Sequence, residues 1–285
     1  MSDRMLRAGV VGAGTMGFGI AYVLASSGHA TTVVESDAER RVGLLARLES
    51  RAQAGVDRGR LDPDAADALS GLVSVVGTVD ELRVGLDVVI ETVPERLDLK
   101  RAVLTAAARR APALLASNTS SYSIDDLAAG LPDPQRFCGM HFFNPVWSIA
   151  LVEVVRGAAT GDEAIAAARS VATAIGKESI VVANVPGFAT SRLDCISAFE
   201  AMRMLEEGVA AAEDIDRAAV VAYGHPIGPL RLSDVVGLDV RLDIARHLQS
   251  VYGERYSPPA ILEQKVAAGE LGRKSGRGFF DWKDR

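Results

Sequence analysis

Cysteine and histidine are both scarce in this sequence, whose 285 residues include two cysteines and four histidines. The cysteines, Cys138 and Cys195, form neither a disulfide framework nor the paired spacing of a zinc site. They therefore indicate buried thiols in a reducing compartment, and no metal site is predicted.

An excess of basic residues and long apolar runs are absent as well. The net charge of −6 argues against a nucleic acid or an anionic membrane as a partner, because both bind basic protein surfaces. No apolar run approaches the roughly 20 residues that span a bilayer, and the N-terminus lacks the apolar core of a secretory signal. With 48% hydrophobic and 24% charged residues, the composition predicts a soluble globular protein, which we expect in the cytoplasm.

The first part of the chain alternates short apolar runs with longer segments of helical spacing. Five runs rich in Val and Leu are strand candidates: RAGVV (7–11), TTVVE (31–35), LVSVV (72–76), DVVIE (87–91) and ALLAS (113–117). RFCGMHFF, LVEVV and SIVVAN continue this series. Apolar strands separated by helices predict a parallel sheet covered on both faces, which is a Rossmann-type, doubly wound α/β fold.

After NVPGF nearly every segment has helical spacing, including one long helix predicted over SDVVGLDVRLDIARHLQSVYG (233–253). Pro and Gly at this change of pattern suit a helix start. We therefore predict residues 1–184 as the α/β domain and residues 185–285 as an all-helical domain. The apolar faces of so small a helical domain favour a homodimer. The closing FFDW (279–282) predicts that the C-terminus packs back on the protein.

A glycine-rich loop follows the first predicted strand. VVGAGTMGFGIA (10–21) holds G-x-G-x-x-G spacing and opens a helix, which is the context that a dinucleotide site requires. Gly12 suits the tight turn, Gly14 lets the backbone approach a pyrophosphate, and Gly17 lets helix and strand pack closely. The predicted cofactor-binding residues of this loop are Gly12, Ala13, Gly14, Thr15, Met16 and Gly17.

Glu35 ends the second predicted strand, where the dinucleotide fingerprint places an acid for the ribose hydroxyls. Its negative charge favours NAD, because it would repel the 2′-phosphate of NADP. Arg40 and Arg41 follow closely and keep NADP as the alternative.

One histidine lies beside bulky apolar residues in GMHFFNPVWSIALVEVV (139–155), with a glutamate in the next apolar run. Oxidation of an alcohol requires a base for the hydroxyl proton, and His141 suits this exchange at neutral pH. Glu153 would stabilise the resulting imidazolium and fix the ring tautomer, as an aspartate does in a catalytic triad. The alternatives are a core histidine bonded to backbone and an edge glutamate that faces solvent.

Polar residues also follow three consecutive predicted strands. Glu95 and Lys100 come after one strand, the segment Asn118–Ser121 after the next, and His141 and Asn144 after the third. Open α/β sheets bind ligands at this edge, so we expect these groups to face the nicotinamide end of the dinucleotide.

The chain resembles the short-chain L-3-hydroxyacyl-CoA dehydrogenases, which include the 3-hydroxybutyryl-CoA dehydrogenases. The matching motifs run in order through nearly the whole sequence: VVGAGTMGFGIA, IETVPERLDLK, SNTSS, MHFFNP, LVEVVRG, GKESIVVANVPGF, EDID, GHPIGPLRLSDVVGLD and GRKSGRGFFDW. The resemblance implies NAD-dependent interconversion of a (3S)-3-hydroxyacyl-CoA and a 3-ketoacyl-CoA. It also implies a helical dimerisation domain, with the active site in the cleft between the two domains.

Roles for single residues follow from the same resemblance. His141 takes the place of the base and Glu153 of its partner, while Ser120 binds the substrate oxygen and Asn144 contacts the substrate. Ser120 and Asn144 also fall among the cofactor contacts. The remaining implied dinucleotide contacts are Glu95, Lys100 and Lys274, and the candidates for CoA binding are Ser50, Arg51 and Arg58.

The sequence departs from the family pattern in PGFATSRL, where Ser191 occupies the place of an active-site asparagine. Serine still donates a hydrogen bond, from a shorter side chain. Phe199 adds bulk to the same predicted helix. We interpret both changes as altered substrate preference.

Three functions remain open at this stage. The first is the acyl-CoA dehydrogenase, and the second is the same chemistry on an acyl-carrier-protein thioester, a dicarboxylyl-CoA or a sugar acid. Arg192 or Arg203 could then hold a distal carboxylate. The third is a dinucleotide-binding protein with little activity because of Ser191.

Overall fold

The computed structural model describes residues 4–283 of the chain. The chain divides into two compact units, Met1–Val185 and Pro186–Arg285. The domain boundary predicted after residue 184 lies one residue earlier than this division.

The first unit is built on one sheet of eight strands. The strands are β1 Arg7–Val11, β2 Ala30–Val34, β3 Val73–Val76, β4 Val88–Glu91, β5 Leu114–Ser117, β6 Phe137–Phe142, β7 Leu151–Arg156 and β8 Glu178–Ala183. Their order is β3-β2-β1-β4-β5-β6-β7-β8. Every neighbouring pair is parallel except β6 and β7, which run antiparallel. The predicted Rossmann-type α/β fold is confirmed.

Seven helices connect these strands: α1 Thr15–Ser26, α2 Ala38–Val42, α3 Leu44–Val56, α4 Pro63–Leu72, α5 Leu97–Ala108, α6 Ile124–Ala128 and α7 Asp162–Ala174. Local sequence explains several of their starts. The Asp37 carboxylate accepts the N–H groups of Glu39 and Arg40 and caps α2, while Asp62 caps α4 ahead of Pro63. All four residues of β4 and of β5 are buried, as expected for central strands that are covered on both faces.

The second unit is helical, as predicted. Its helices are α8 Thr190–Glu206, α9 Ala212–Tyr223, α10 Pro229–Val236, α11 Leu238–Tyr252 and α12 Ala260–Ala267. The single helix predicted over residues 233–253 is wrong, because Gly237 adopts φ +104° and ends α10 before α11 begins. A positive φ lies outside the right-handed helical region.

The C-terminal segment packs on this unit through one buried carboxylate. Asp234 accepts hydrogen bonds from the backbone N–H groups of Phe279 and Phe280 and from the Trp282 indole. The prediction drawn from FFDW is confirmed.

Among the helices of residues 4–283, none combines the length and the apolar character needed to cross a membrane.

Candidate active site

A cavity of about 840 Å³ lies at the sheet edge where the parallel strands of the first unit end. The glycine loop after β1 forms one wall, and the segments after β4 and β5 and the last residues of β6 form others. The lining residues that the sequence predicted are Gly12, Ala13, Gly14, Thr15, Met16, Glu35, Glu95, Ser120 and His141. The structure thus brings together most of the predicted dinucleotide and catalytic residues of this unit.

The glycine loop has the close packing that its spacing predicted. Gly12 adopts φ +101°, and its N–H donates to the Val34 carbonyl across 2.8 Å. A Cβ on Gly17 would lie 1.8 Å from the Gly12 carbonyl oxygen, so only glycine permits this approach of helix and loop. A Cβ on Gly14 would meet nothing within 4 Å. The loop therefore leaves open space in front of the N-terminus of α1.

This N-terminus fits the pyrophosphate of NAD. In the described part of the chain, no side-chain hydrogen bond caps α1 at Gly14, and its first turn holds no acidic residue. Its first N–H groups and the positive end of the helix dipole are thus available to an anion.

Glu35 lies at the cavity with its carboxylate held by backbone groups. Oε2 accepts from the Ala13 N–H at 3.2 Å, and Oε1 accepts from the Asp37 N–H at 3.0 Å. Glu35 is 6% exposed, and the two hydrogen bonds fix the orientation of its carboxylate. A carboxylate held at this strand end suits the ribose diol.

His141 and Glu153 form a buried pair across two strands. The antiparallel pairing of β6 and β7 places them opposite each other, with His141 Nδ1 2.7 Å from Glu153 Oε2. Glu153 is fully buried, so the alternative of a solvent-facing glutamate is wrong. Because a carboxylate only accepts hydrogen bonds, Nδ1 carries the proton, and Nε2 is then the basic nitrogen of the neutral ring. The Phe143 ring centroid lies 4.6 Å from that of His141.

Hydrogen bonds connect the segments that follow the three strands. Asn118 Oδ1 accepts from the Phe142 N–H at 2.8 Å and thereby fixes the backbone next to His141. The Glu95 carboxylate accepts from the Ser120 N–H at 3.2 Å and from the Thr119 hydroxyl at 3.1 Å. The sequence singled out Asn118 and Thr119 only as members of a polar cluster.

Lys100 is buried beneath this wall. Its side chain is 1% exposed, and its ammonium group lies 2.9 Å from an oxygen of the fully buried Glu91. Sequence reasoning missed Glu91, although it is a lone acid at the end of an apolar run, DVVIE, much as Glu153 is a lone acid inside LVEVV.

A second cavity of the first unit, about 270 Å³, is lined by one of the three CoA candidates. The Arg51 guanidinium lies 4.7 Å from the Trp147 ring centroid and 5.8 Å from that of Tyr22. Arg60 lines the same cavity. The Lys177 ammonium, whose pKa is lowered by burial, donates to the carbonyls of Val146 and Ile149 at 2.6 Å each.

Other predicted residues lie elsewhere. Ser50 and Arg58 are exposed, and Asn144 is exposed in the turn after β6, next to the cis Asn144–Pro145 bond. Ser191, in the first turn of α8, and Lys274 both belong to the second unit. Their predicted contacts with substrate and cofactor stay predictions, as does that of Asn144.

Lys274, Arg192 and Arg203 have partners within the second unit. The Lys274 ammonium bonds to the carboxylate of Asp239 at 2.5 Å and thereby lowers the pKa of that carboxyl. Arg192 donates to the Tyr256 hydroxyl, and Arg203 donates to the Ser257 carbonyl. Phe199 is fully buried among the core residues of this unit.

No group of three or more histidine, cysteine or acidic side chains within residues 4–283 is arranged to hold a metal ion.

Two family descriptions together cover the chain. The NAD-binding domain of 3-hydroxyacyl-CoA dehydrogenase matches residues 7–185, and the C-terminal domain of the same family matches residues 187–282.

Known proteins match nearly the whole of this chain, and the first two are of similar length. A 3-hydroxybutyryl-CoA dehydrogenase of Mycobacterium tuberculosis is 39% identical over 99% of this chain and 100% of its own. The crystal structure of (S)-3-hydroxybutyryl-CoA dehydrogenase PaaH1 from Ralstonia eutropha matches with a TM-score of 0.91 at 37% identity, over 98% of this chain and 99% of that one. A 3-hydroxyadipyl-CoA dehydrogenase of Escherichia coli is 37% identical over 96% of this chain and 58% of its own. This chain therefore belongs to the 3-hydroxyacyl-CoA dehydrogenase family, whose cofactor is NAD.

Proposed function

We propose that this protein interconverts a short-chain (3S)-3-hydroxyacyl-CoA, such as 3-hydroxybutyryl-CoA, and the corresponding 3-ketoacyl-CoA. The observation that carries this proposal is the His141–Glu153 pair, 2.7 Å apart, at the wall of the cavity that the glycine loop lines. The activities named for the relatives support the substrate class. NAD, when bound, supplies the nicotinamide that accepts the hydride.

The chain's own contribution to the reaction is proton transfer at a fixed position. His141 removes the hydroxyl proton at Nε2 and becomes an imidazolium. A buried cation is costly, and the Glu153 carboxylate offsets this cost through its hydrogen bond to Nδ1. Phe143, whose ring lies against that of His141, limits the access of water to it. Ser120 Oγ, on a segment that Glu95 holds, is proposed to donate to the substrate oxygen.

The cavity around Arg51 supports a CoA thioester as substrate. Arg51 and Arg60 supply positive charge for phosphate groups, and Trp147 supplies an aromatic surface in the same cavity. We expect Arg51→Met to raise the KM for acetoacetyl-CoA at least several-fold. The KM for acetoacetyl-pantetheine, which lacks the nucleotide, should stay unchanged. An equal rise for both thioesters would assign Arg51 a structural role.

The activity is tested by the loss of NADH absorbance with acetoacetyl-CoA at neutral pH. We expect turnover by the unaltered chain and at least about a hundredfold lower kcat for His141→Gln, the range in which general-base loss falls. Tight NADH binding without turnover of any 3-ketoacyl thioester would contradict the proposal and favour a dinucleotide-binding protein.

A dicarboxylyl-CoA is the second candidate substrate, because one relative carries the name 3-hydroxyadipyl-CoA dehydrogenase. A distal carboxylate would need a cation, and the predicted candidates Arg192 and Arg203 already bond to groups of the second unit. We therefore expect a higher kcat/KM for acetoacetyl-CoA than for 3-oxoadipyl-CoA. The reverse order would establish the second candidate.

We further propose that the protein forms a homodimer in the cytoplasm. The second unit exposes several large apolar side chains, among them Leu193 at 70% and Ile196 at 41%, one helical turn apart on α8. Such a face favours a symmetric contact with a second copy. Both cysteines are free and buried, which suits a reducing compartment.

A further inference from the structure

Glu91 carries a fully buried carboxylate at the end of β4, between Val11 of β1 and Ser117 of β5. This carboxylate accepts from the Val93 N–H at 2.7 Å, from the Ser117 hydroxyl at 2.6 Å, and from the Lys100 ammonium at 2.9 and 3.2 Å. Burial of a charge costs free energy unless hydrogen bonds and an opposite charge compensate it, and Glu91 has both.

The Lys100 ammonium connects this buried acid to one at the cavity wall. It lies 3.6 Å from Glu95 Oε2 and also donates to the Val93 carbonyl at 3.2 Å. Glu91 and Lys100 are almost inaccessible to solvent, whereas the Glu95 side chain is 39% exposed. From the sheet interior to the cavity, the charged groups are thus the Glu91 carboxylate, the Lys100 ammonium and the Glu95 carboxylate.

Glu95 in turn fixes the segment after β5. Its two oxygens accept from the Thr119 hydroxyl and from the Ser120 N–H. The Thr119 oxygen accepts the N–H groups of Ser121 and Tyr122, so the whole turn depends on this contact. Glu95 and Ser120 line the cavity after β4 and β5, on the other side of β1 from Glu35, which follows β2.

We propose that Glu91 is a positioning residue for the nicotinamide half of the cofactor site, acting through Lys100 and Glu95 on the Ser120 backbone. On this proposal Lys100 serves NAD binding by holding Glu95 in place. The assignment of the nicotinamide half rests on the proposed function, because Ser120 lies on the His141 side of the cavity.

Loss of either charge of the pair should move Glu95 away from Thr119 and Ser120, although by different routes. In Glu91→Met, Lys100 keeps Glu95 as its remaining carboxylate partner and draws Glu95 away from Thr119 and Ser120. In Lys100→Met, Glu95 loses its counter-charge and turns toward solvent. The double variant removes both buried charges, and apolar replacement of a whole buried pair is often tolerated by the fold.

The test is the dissociation constant of NADH, measured by fluorescence titration without any acyl substrate. We expect each single variant to weaken NADH binding by about tenfold, and the double variant to weaken it by about as much as the larger single effect, because residues of one network are not additive. Asp216→Asn is the control. It alters a buried carboxylate of the second unit, should lower the melting temperature, and should leave NADH affinity within twofold.

Two results would overturn the proposal. One is a folded double variant that binds NADH as tightly as the unaltered chain, and the other is two single effects that add in full. Both are distinguishable from failure of the proposed function, because a chain that turns over no thioester still has a measurable NADH affinity.

Discussion

A buried carboxylate needs a hydrogen-bond donor, and for Glu153 on β7 that donor is the imidazole of His141 on β6. An apolar side chain at this position would pack in β7 without the cost of desolvating a charge. The position of Glu153 opposite a histidine at the cavity wall gives the charge a chemical use. In the proposed mechanism, Glu153 fixes which nitrogen carries the proton and stabilises the ring after proton uptake.

This account predicts a specific defect for Glu153→Gln. The amide keeps the shape but removes the charge that stabilises imidazolium, so kcat should fall by about a hundredfold or more while KM stays within a few-fold. Steady-state kinetics with acetoacetyl-CoA and NADH measure both. Glu178→Gln makes the same chemical change at an exposed site on β8 and should leave kcat unchanged. An undiminished kcat for Glu153→Gln would show that the pair has no part in catalysis.

The thiols give a second prediction at this scale. Burial raises the pKa of Cys138 to about 12 and also raises that of Cys195. Since the thiolate is the reactive form, about one Cys138 in ten thousand would be ionised at pH 8, and both side chains are inaccessible. Ellman's reagent should therefore label neither cysteine in the native protein and both after unfolding in guanidinium chloride. Rapid native labelling of one thiol per chain would contradict this.

At the scale of elements, the sheet could be predicted because its central strands are short, largely apolar runs bounded by turn residues. The long helix over residues 233–253 could not be predicted correctly. Its apolar spacing continues through Gly237, and only the packed structure shows that this residue takes a positive φ. The local sequence pattern predicts whether an element is a helix or a strand better than it predicts where that element ends.

The candidate site was predictable where its residues stand in one motif. The glycine loop, Glu35 and His141 carry local signals, and the structure places them around one cavity. The network of Glu91, Lys100 and Glu95 was not predictable as a network, since its contacts join separate segments through space. The contact of Arg51 with Trp147 has no local signal for the same reason.

The packing of α1 against the glycine loop gives a prediction for Gly17→Ala. The added methyl would lie 1.8 Å from the Gly12 carbonyl oxygen, so helix and loop must separate. We expect a loss of several kcal/mol in the free energy of unfolding, as strained small-to-large changes cause, together with loss of NADH affinity.

Gly71→Ala is the matched control for this change. A Cβ at that position in α4 meets nothing within 4 Å, so alanine should be neutral or should stabilise by up to about 1 kcal/mol. Chemical denaturation measures both variants. A Gly17→Ala protein as stable as the original would refute the close-packing argument.

At the scale of the whole molecule, the chain consists of two units, each with its own apolar core. Each core is therefore formed without the large apolar side chains that the unit leaves exposed. Leu193 on α8 is 70% exposed, which is unusual for a leucine unless another surface covers it.

We therefore predict a dimer of about twice the 30.0 kDa chain mass in sedimentation equilibrium. Leu193→Glu should shift the mass to that of the monomer, because in a symmetric contact each of the two copies would have to bury a carboxylate. Val42→Glu is the control, since Val42 is 87% exposed on the first unit and should leave the mass unchanged. A monomeric mass for the unaltered chain would contradict the predicted dimer.

The most direct test of the central claim is a single turnover of (3S)-3-hydroxybutyryl-CoA with saturating NAD, followed by NADH absorbance in a rapid-mixing instrument. If His141 is the base, His141→Gln should slow the chemical step by at least about a hundredfold at neutral pH while the NADH dissociation constant stays within twofold. A chemical step of unchanged rate in His141→Gln would contradict the claim.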